Sequence, residues 1–213
     1  MNVVFLGASN PHTVKMIQAI KQSDPNFKVY GFIDNDPAKK DTEFVGYPVF
    51  GGFEILDALK EDVHFVNLIT QSTKLRHETS LTLASKGCRF TNFIHPSIDL
   101  TMVKMGTDIY LQEQVVVQTD VEIGNHCAAH LGALIAHQVQ MGDSVFIAPG
   151  CSVLGCVTIG KGAYLGSNSV ILPHLHIGKW STVGAGAVII EDVPDYATVV
   201  GNPGRIVKIG GEE

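Results

Sequence analysis

The chain has 213 residues with a formal net charge of −6, and 45% of its residues are hydrophobic. This length allows one or two domains with a substantial core. The acidic balance argues against a nucleic-acid-binding surface, and no apolar run reaches the roughly 20 residues of a membrane-spanning helix. Because the apolar run after Met1-Asn2 has no basic start, we expect no signal peptide and a cytoplasmic protein.

The first half of the chain alternates short apolar runs with helical patterns. Four apolar runs are predicted strands, at residues 3–6, 28–33, 63–69 and 88–94. Helical spacing follows the first and third of them, at residues 13–20 and 73–85. This alternation predicts an α/β domain over residues 1–96, with a small, Rossmann-like parallel sheet and right-handed crossovers.

Polar residues directly follow three of these predicted strands. They are Ser9 and Asn10, Asp34 and Asn35, and Gln71 and Ser72. Since parallel sheets bind ligands outside the carboxyl ends of their strands, all six are candidate substrate-binding residues, although ordinary polar turns leave the same pattern. The first turn lacks a complete G-x-G-x-x-G fingerprint, which favours a single nucleotide, with its phosphates near a helix that begins around Thr13, over a dinucleotide.

The second half of the chain follows a six-residue repeat. From Met105 to Ile189 every sixth residue is aliphatic, 15 positions in one register. Six steps of about 100° do not return to one face of a helix, so the repeat excludes a helix. Glycine follows the aliphatic residue every 18 residues, at Gly106, Gly124, Gly142, Gly160 and Gly178. Three hexads therefore close one coil, which predicts a parallel β-helix of about five coils over residues 97–213, with a hinge at residues 97–104 and a C-terminal tail.

The cysteines and histidines of this half suggest no metal site. Cys127 and Cys151 occupy the small inward position of their hexads, so we expect buried thiols in a reducing compartment. Five histidines lie in the repeat, at positions 126, 130, 137, 174 and 176. No H-E-x-x-H or C-x-x-C frame accompanies them, and single histidines at solvated corners explain most of them.

Taken whole, the chain resembles the hexapeptide-repeat nucleotide-sugar N-acetyltransferases that acetylate 4-amino sugars, and their sialic-acid O-acetyltransferase relatives. The motifs that carry the resemblance are Gly7-Ala8-Ser9, the F-I-D-N run at 32–35, the I-H-P-S run at 94–97, the hexads, and the G-N-P-G-R run at 201–205. The resemblance implies a left-handed β-helix and a homotrimer. It also implies a nucleotide-linked amino sugar in the small domain and acetyl-CoA in a cleft between subunits, without a metal. The cofactor-binding residues it implies are Gly155, Ser167, Ala185 and Arg205.

The general base implied by this resemblance is His137, and Gly155 supports the assignment independently. Imidazole accepts a proton near neutral pH, which suits an amine or hydroxyl that attacks a thioester. With 18 residues per coil, Gly155 is predicted to stack beside His137. A residue without a side chain leaves room there for the thioester, and its N–H could face the oxyanion.

The chain departs from the family pattern at three positions. The acid that follows the base in relatives is Gln138 here, which can orient the imidazole without stabilising its charge. Relatives often carry asparagine where His130 stands, a position that the resemblance implies binds substrate, and many carry histidine where Phe146 stands. We expect these three residues to surround the base.

Alternatives to amine acetylation remain open at this point. They are O-acetylation of a sugar hydroxyl, another acyl group in place of acetyl, and a catalytically weakened sugar-nucleotide-binding trimer, which Gln138 favours. Cys156, next to Gly155, could serve as a covalent nucleophile, although a small packed residue at a coil corner is the simpler interpretation.

Overall fold

The computed structural model describes residues 1–59, 61 and 63–211. In chain order, the elements of the first part are β1 (Asn2–Leu6), α1 (Thr13–Ser23), β2 (Lys28–Ile33), β3 (Thr42–Phe44), β4 (Tyr47–Val49), α2 (Leu56–Leu59), β5 (His64–Asn67) and α3 (Thr73–Ser85). Two short 3₁₀ helices lie at Pro37–Lys39 and Phe53–Ile55.

The strands of the first part form one five-stranded sheet with the order β3-β4-β2-β1-β5. β1 pairs in parallel with β2 and β5, as the sequence predicts, and β2 pairs in parallel with β4. The β3–β4 hairpin adds an antiparallel edge that the sequence pattern does not predict. Phe5, Phe32 and Phe65 are fully buried in this sheet, and together with α1 and α3 they build its core.

The fourth predicted strand is wrong as an element of this sheet. Of residues 88–94, Phe90 makes an isolated bridge to Phe65, whereas Phe93–Ile94 forms β6, which pairs in parallel with Tyr110–Leu111 of the repeat. The physical reason is the Phe93 ring. It is fully buried and packs 4.9 Å from the Phe5 ring and 5.5 Å from the Tyr110 ring, so this segment joins the two halves.

Short strands at a regular spacing make up the second part. They are β6 (Phe93–Ile94), β7 (Val103–Met105), β8 (Tyr110–Leu111), β9 (Val116–Val117), β10 (Val121–Ile123), β11 (Ala128–Ala129), β12 (Leu134–Ile135), β13 (Gln140–Met141), β14 (Phe146–Ile147), β15 (Ser152–Val153), β16 (Thr158–Ile159), β17 (Tyr164–Leu165), β18 (Val170–Ile171), β19 (His176–Ile177), β20 (Thr182–Val183), β21 (Val188–Ile189), β22 (Ala197–Val200) and β23 (Arg205–Ile209).

These strands form the three faces of a prism. The covered face contains β6, β8, β11, β14, β17, β20, β22 and β23; the polar face contains β7, β10, β13, β16 and β19; the apolar face contains β9, β12, β15, β18 and β21. From β7 to β21, partners within a face lie 18 positions apart, as Leu134 and Ser152 do. The aliphatic hexad residues pack in one continuous interior cluster, so the predicted parallel β-helix is confirmed.

The recurring glycines are required by the close approach of successive coils. A β-carbon at Gly142 would lie 2.8 Å from the backbone nitrogen of Lys161, and one at Gly124 would lie 2.7 Å from that of Asp143. Separations below about 3 Å are essentially never seen for real β-carbons. Any larger residue at these positions would therefore push adjacent coils apart.

The α/β part packs directly on the covered face. Tyr110, Ala128 and Phe146 of that face share a buried cluster with Phe5 and Met16 of the sheet and α1. Among the described helices, none combines the length and apolar character needed to cross a bilayer.

The predicted buried thiols are also confirmed. Cys127 and Cys151 are fully buried and free. Burial raises the pKa of Cys127 to about 12 and that of Cys151 to about 11. Both thiols therefore remain protonated and serve as small packing residues.

Candidate active site

The strand ends of the sheet open into one cavity of about 500 Å³, which we call the sheet-end pocket. Five of the six residues predicted there line it: Ser9, Asn10, Asp34, Asn35 and Gln71. The sixth, Ser72, has a structural role instead. Its Oγ accepts a hydrogen bond of 3.3 Å from the backbone N–H of Leu75 and so caps α3.

Among the described residues that line this pocket, Asp34 carries the charge. Its carboxylate accepts hydrogen bonds from the backbone N–H groups of Ala8 at 2.9 Å and Asp36 at 3.0 Å, and from Lys39 Nζ at 2.7 Å. Burial alone would raise the pKa of Asp34, but the bonds from Lys39 and the backbone outweigh it, so this pKa lies below its usual value. Lys39 also donates to Ser9 Oγ at 3.3 Å. Lys39 is not among the residues predicted from the sequence, although it follows Asp34 by five residues.

His137 lies on the edge between the apolar and polar faces, in the turn between β12 and β13. Its backbone N–H donates to Gln118 Oε1 at 2.9 Å, and its side chain is exposed. A β-carbon at Gly155 would lie 2.6 Å from Cε1 and 2.7 Å from Nε2 of the His137 ring. The stacking of Gly155 beside His137 that the 18-residue coil predicts is therefore confirmed.

Gln138 selects one tautomer of the His137 ring. Its Oε1 lies 3.2 Å from His137 Nδ1 and also accepts a bond of 3.5 Å from Cys156 Sγ. An amide oxygen only accepts, so Nδ1 carries the proton and Nε2 keeps its lone pair. The nitrogen that can act as a base is thus the one that faces Gly155.

His130 occupies a different edge of the prism from His137. It lies between β11 and β12, where the covered and apolar faces meet. Its ring is buried, with centroids 5.4 Å from Tyr110 and 4.6 Å from Phe146. The expectation that His130, Gln138 and Phe146 together surround the base is therefore wrong within one chain. The reason is that Phe146 points out of the prism into the cluster shared with the α/β part, and the His130 ring packs on Phe146.

Burial leaves the His130 ring neutral. It lowers the pKa of His130 to about 4, and the positive charges of Arg76 and His12 act in the same direction. Within the described part of the chain, Nε2 of this buried ring has no hydrogen-bond partner.

A histidine–carboxylate pair lies on the same edge as His130. His12 Nε2 is 2.8 Å from Glu113 Oε2, which links the start of α1 to the turn after β8. Burial would raise the pKa of Glu113, but the bond to His12 outweighs it and lowers this pKa. The two residues are 101 positions apart, so no local sequence signal marks the pair.

The implied cofactor-binding residues are divided between the two edges that flank the apolar face. Gly155 lies on the His137 edge, whereas Ser167 and Ala185 lie on the other, in the turns after β17 and β20. Arg205 is exposed at the start of β23. The apolar face between the edges presents a column of side chains that includes Val116, 52% exposed, and the partly exposed Leu134 and Val170. One chain alone therefore does not bring all predicted site residues together.

The six-residue repeat and the fold resemble those of the hexapeptide-repeat acetyltransferases. The family described as bacterial transferase hexapeptide (six repeats) matches residues 138–173 and 156–191. No curated protein matches the chain by sequence. Within the described residues no group of histidine, cysteine and carboxylate side chains is placed to hold a metal.

Solved structures match nearly the whole chain. PerB from Caulobacter crescentus, in complex with CoA and GDP-perosamine, is 27% identical, with a TM-score of 0.88 and 98% of each chain covered. WeeI from Acinetobacter baumannii is 26% identical, with a TM-score of 0.84, covering 97% of this chain and 100% of its own. The acetyltransferase domain of PglB from Neisseria gonorrhoeae shares the fold at 22% identity and a TM-score of 0.86, covering 97% of this chain and 99% of its own. The resemblance to nucleotide-sugar N-acetyltransferases is confirmed.

Proposed function

We propose that the protein transfers an acetyl group from acetyl-CoA to the amino group of a nucleotide-linked amino sugar, with His137 as general base. The observation that carries this proposal is the placement of His137 Nε2 beside the empty side-chain position of Gly155. Similarity to PerB, whose structure contains CoA and GDP-perosamine, supports both the donor and the acceptor class.

The reaction follows from this geometry. The neutral amine attacks the thioester carbon while Nε2 of His137 takes the proton that the nitrogen loses. Nδ1–H donates to Gln138 Oε1 throughout. The C–S bond then breaks, the sulfur leaves as CoA thiolate, and the proton held by His137 neutralises it. No covalent enzyme intermediate is needed, so Cys156 acts as a packing residue and as a donor to Gln138.

The acceptor binds, in this proposal, through the α/β domain of residues 1–96. Its Rossmann-like sheet directs Ser9, Asn10 and Gln71 into the sheet-end pocket, where Lys39 supplies a positive charge beside Asp34. A nucleotide carries phosphates that require such a cation, and parallel sheets bind nucleotides at this end. His130 borders the acceptor from the neighbouring edge of the prism.

The site is completed between chains in a homotrimer of left-handed β-helices. His137 and Gly155 lie on one edge of the apolar face, and Ser167 and Ala185 on the other. If the apolar faces of neighbouring chains approach each other, the His137 edge of one chain meets the Ser167 edge of the next. Acetyl-CoA then lies in the cleft between them, with Arg205 near its end. Cyclic symmetry closes such an assembly.

A cytoplasmic location belongs to the same proposal. Cys127, Cys151 and Cys156 form no disulfide, which suits a reducing compartment.

The test is a thiol-release assay with acetyl-CoA against UDP-, GDP- and dTDP-linked 4-amino sugars and their 4-hydroxy counterparts. We expect release with at least one amino sugar, and a fall in kcat/KM of about 10² to 10⁴ for His137→Ala. Release with the hydroxy sugars alone would favour O-acetylation. Nucleotide-sugar binding without any release would favour the weakened binding protein, and a fully active His137→Ala protein would refute the mechanism.

A further inference from the structure

A second cavity, of about 650 Å³, lies between α3 and the C-terminal end of the prism. Thr73, Lys74, His77 and Glu78 line it from α3. The sheet-end pocket uses the opposite side of the same helix, through Leu75 and Thr79. We call the second cavity the α3 cleft. It borders the corner between the polar and covered faces, away from the edges that carry His137 and Ser167.

The prism side of the α3 cleft is aromatic. Trp180 lines it, and the Trp180 ring also occupies the space that a side chain at Gly162 would fill. The ring is further fixed by an edge-to-face contact with His77, at 5.6 Å and 66°. Tyr196 adds a second ring to the wall. Trp180 is therefore held between the coil backbone and the cavity, as a platform for a planar group.

Among the residues that the structure describes, the charged groups that line the α3 cleft are mainly positive. Lys74 and Lys208 line it from opposite sides, against one carboxylate, that of Glu78. His77 contributes no charge, because burial, followed by the charge of Lys161, lowers its pKa. Its Nδ1 is 2.8 Å from Ser144 Oγ, which fixes the ring. An anion that enters the cleft meets two flexible cations and a rigid aromatic wall.

We propose that the α3 cleft binds a nucleotide, with the base against Trp180 and the phosphate between Lys74 and Lys208. Stacking on an aromatic ring tolerates any base, and lysine recognises phosphate as a point charge. This site is separate from the sheet-end pocket and from the His137 edge, so the chain has a nucleotide site beyond those that acetyl transfer uses.

The single tryptophan of the chain reports on this cleft directly. Trp180 emission and calorimetry would be followed while AMP, GMP, UMP or inorganic phosphate is added to the full-length protein. We expect saturable quenching by the nucleotides, and binding of phosphate alone at least about tenfold weaker because it lacks a base to stack. Phosphate that binds as tightly as the nucleotides would overturn the stacking assignment.

Two variants locate the site. Lys74→Glu/Lys208→Glu should weaken nucleotide binding at least about tenfold, because like charges then face the phosphate. Lys15→Glu/Lys86→Glu changes the net charge equally at exposed lysines outside the cleft and should leave binding unchanged. Asp34→Ala should also leave it unchanged. No saturable signal in the parent, equal affinity in the cleft variant, or loss in Asp34→Ala would each refute the proposal.

Discussion

Replacing Arg76 with methionine should destabilise the protein severely, because Arg76 holds the α/β part to the prism. Its guanidinium is fully buried and donates to four backbone carbonyls: those of Asn67, Ile69, Asp108 and His126. It also lies 3.8 Å from the Asp108 carboxylate, with both side chains 1% exposed. Asn67 ends a strand of the sheet and His126 belongs to the prism, so one side chain joins both.

The magnitude follows from what Arg76→Met leaves behind. The Asp108 carboxylate would keep its bonds from the Asn67 N–H at 3.0 Å and Ser80 Oγ at 2.9 Å, and its 3.0 Å contact with His126 Nδ1. It would lose its nearest permanent positive charge while still buried. Breaking a buried pair in this way costs about 3–5 kcal/mol, which is a large part of the total stability of most domains.

Urea unfolding, monitored by circular dichroism, measures this loss of unfolding free energy. Asp108→Asn tests the other partner, and asparagine tolerates the left-handed backbone of this position, where φ is +58°. The double variant should lose about 1–3 kcal/mol less than the sum of the single variants, because the two residues are coupled. Lys104→Met, which removes an exposed ion pair with Glu122, serves as the control and should have little effect. A loss of unfolding free energy below about 1 kcal/mol for Arg76→Met would show that Arg76 does not hold the α/β part to the prism.

Three further predictions concern the site. Burial lowers the pKa of His130 to about 4, whereas the ring in the unfolded chain titrates near 6.5. The unfolded state therefore binds the proton first, and about 3 kcal/mol of stability should be lost as pH falls from 6.5 to 4. His130→Asn should reduce this pH dependence of stability in urea titrations, and an unchanged dependence would contradict the burial. Gly155→Val should abolish turnover while the melting temperature is kept, since its side chain would collide with the His137 ring; unchanged kinetics would remove Gly155 from the site. Gln138→Glu should move the acidic limb of the pH–rate profile to higher pH, because a carboxylate beside Nδ1 favours imidazolium; an unmoved limb would show that Gln138 does not contact the base.

The features that the sequence predicts correctly depend on neighbouring residues or on a regular repeat. A strict hexad repeat predicted the β-helix, and its 18-residue coil placed Gly155 against the His137 ring. Strand ends predicted five residues of the sheet-end pocket, because parallel strands bring their carboxyl ends to one edge. At Ser72 the same polar signal marks a helix cap.

The missed features depend on contacts between distant residues. Phe93 leaves the sheet because rings from both halves of the chain surround it. Arg76 and Asp108, like His12 and Glu113, meet only once the prism packs on the α/β part. His130 was expected beside the base, but coil geometry places positions seven residues apart on different edges of the prism. No periodic pattern in the sequence predicts these contacts between distant residues.

In the proposed trimer the His137 edge of one chain meets the Ser167 edge of the next, which borders the covered face and its α/β part. The base of one chain therefore serves the nucleotide-sugar pocket of the next. His137→Ala removes the base, and Asp34→Ala should weaken binding of the nucleotide-sugar, so at limiting nucleotide-sugar concentration we expect both variants to be nearly inactive. Mixing the two tests the claim most directly. The two variants are unfolded together in equal amounts and reassembled. In random cyclic assembly, half of the chains supply an intact His137 and half of their neighbours supply an intact Asp34, so about a quarter of the sites contain both. We therefore predict that thiol release returns to about a quarter of the parental rate. Mixed assemblies that remain as inactive as the separate variants would contradict the account.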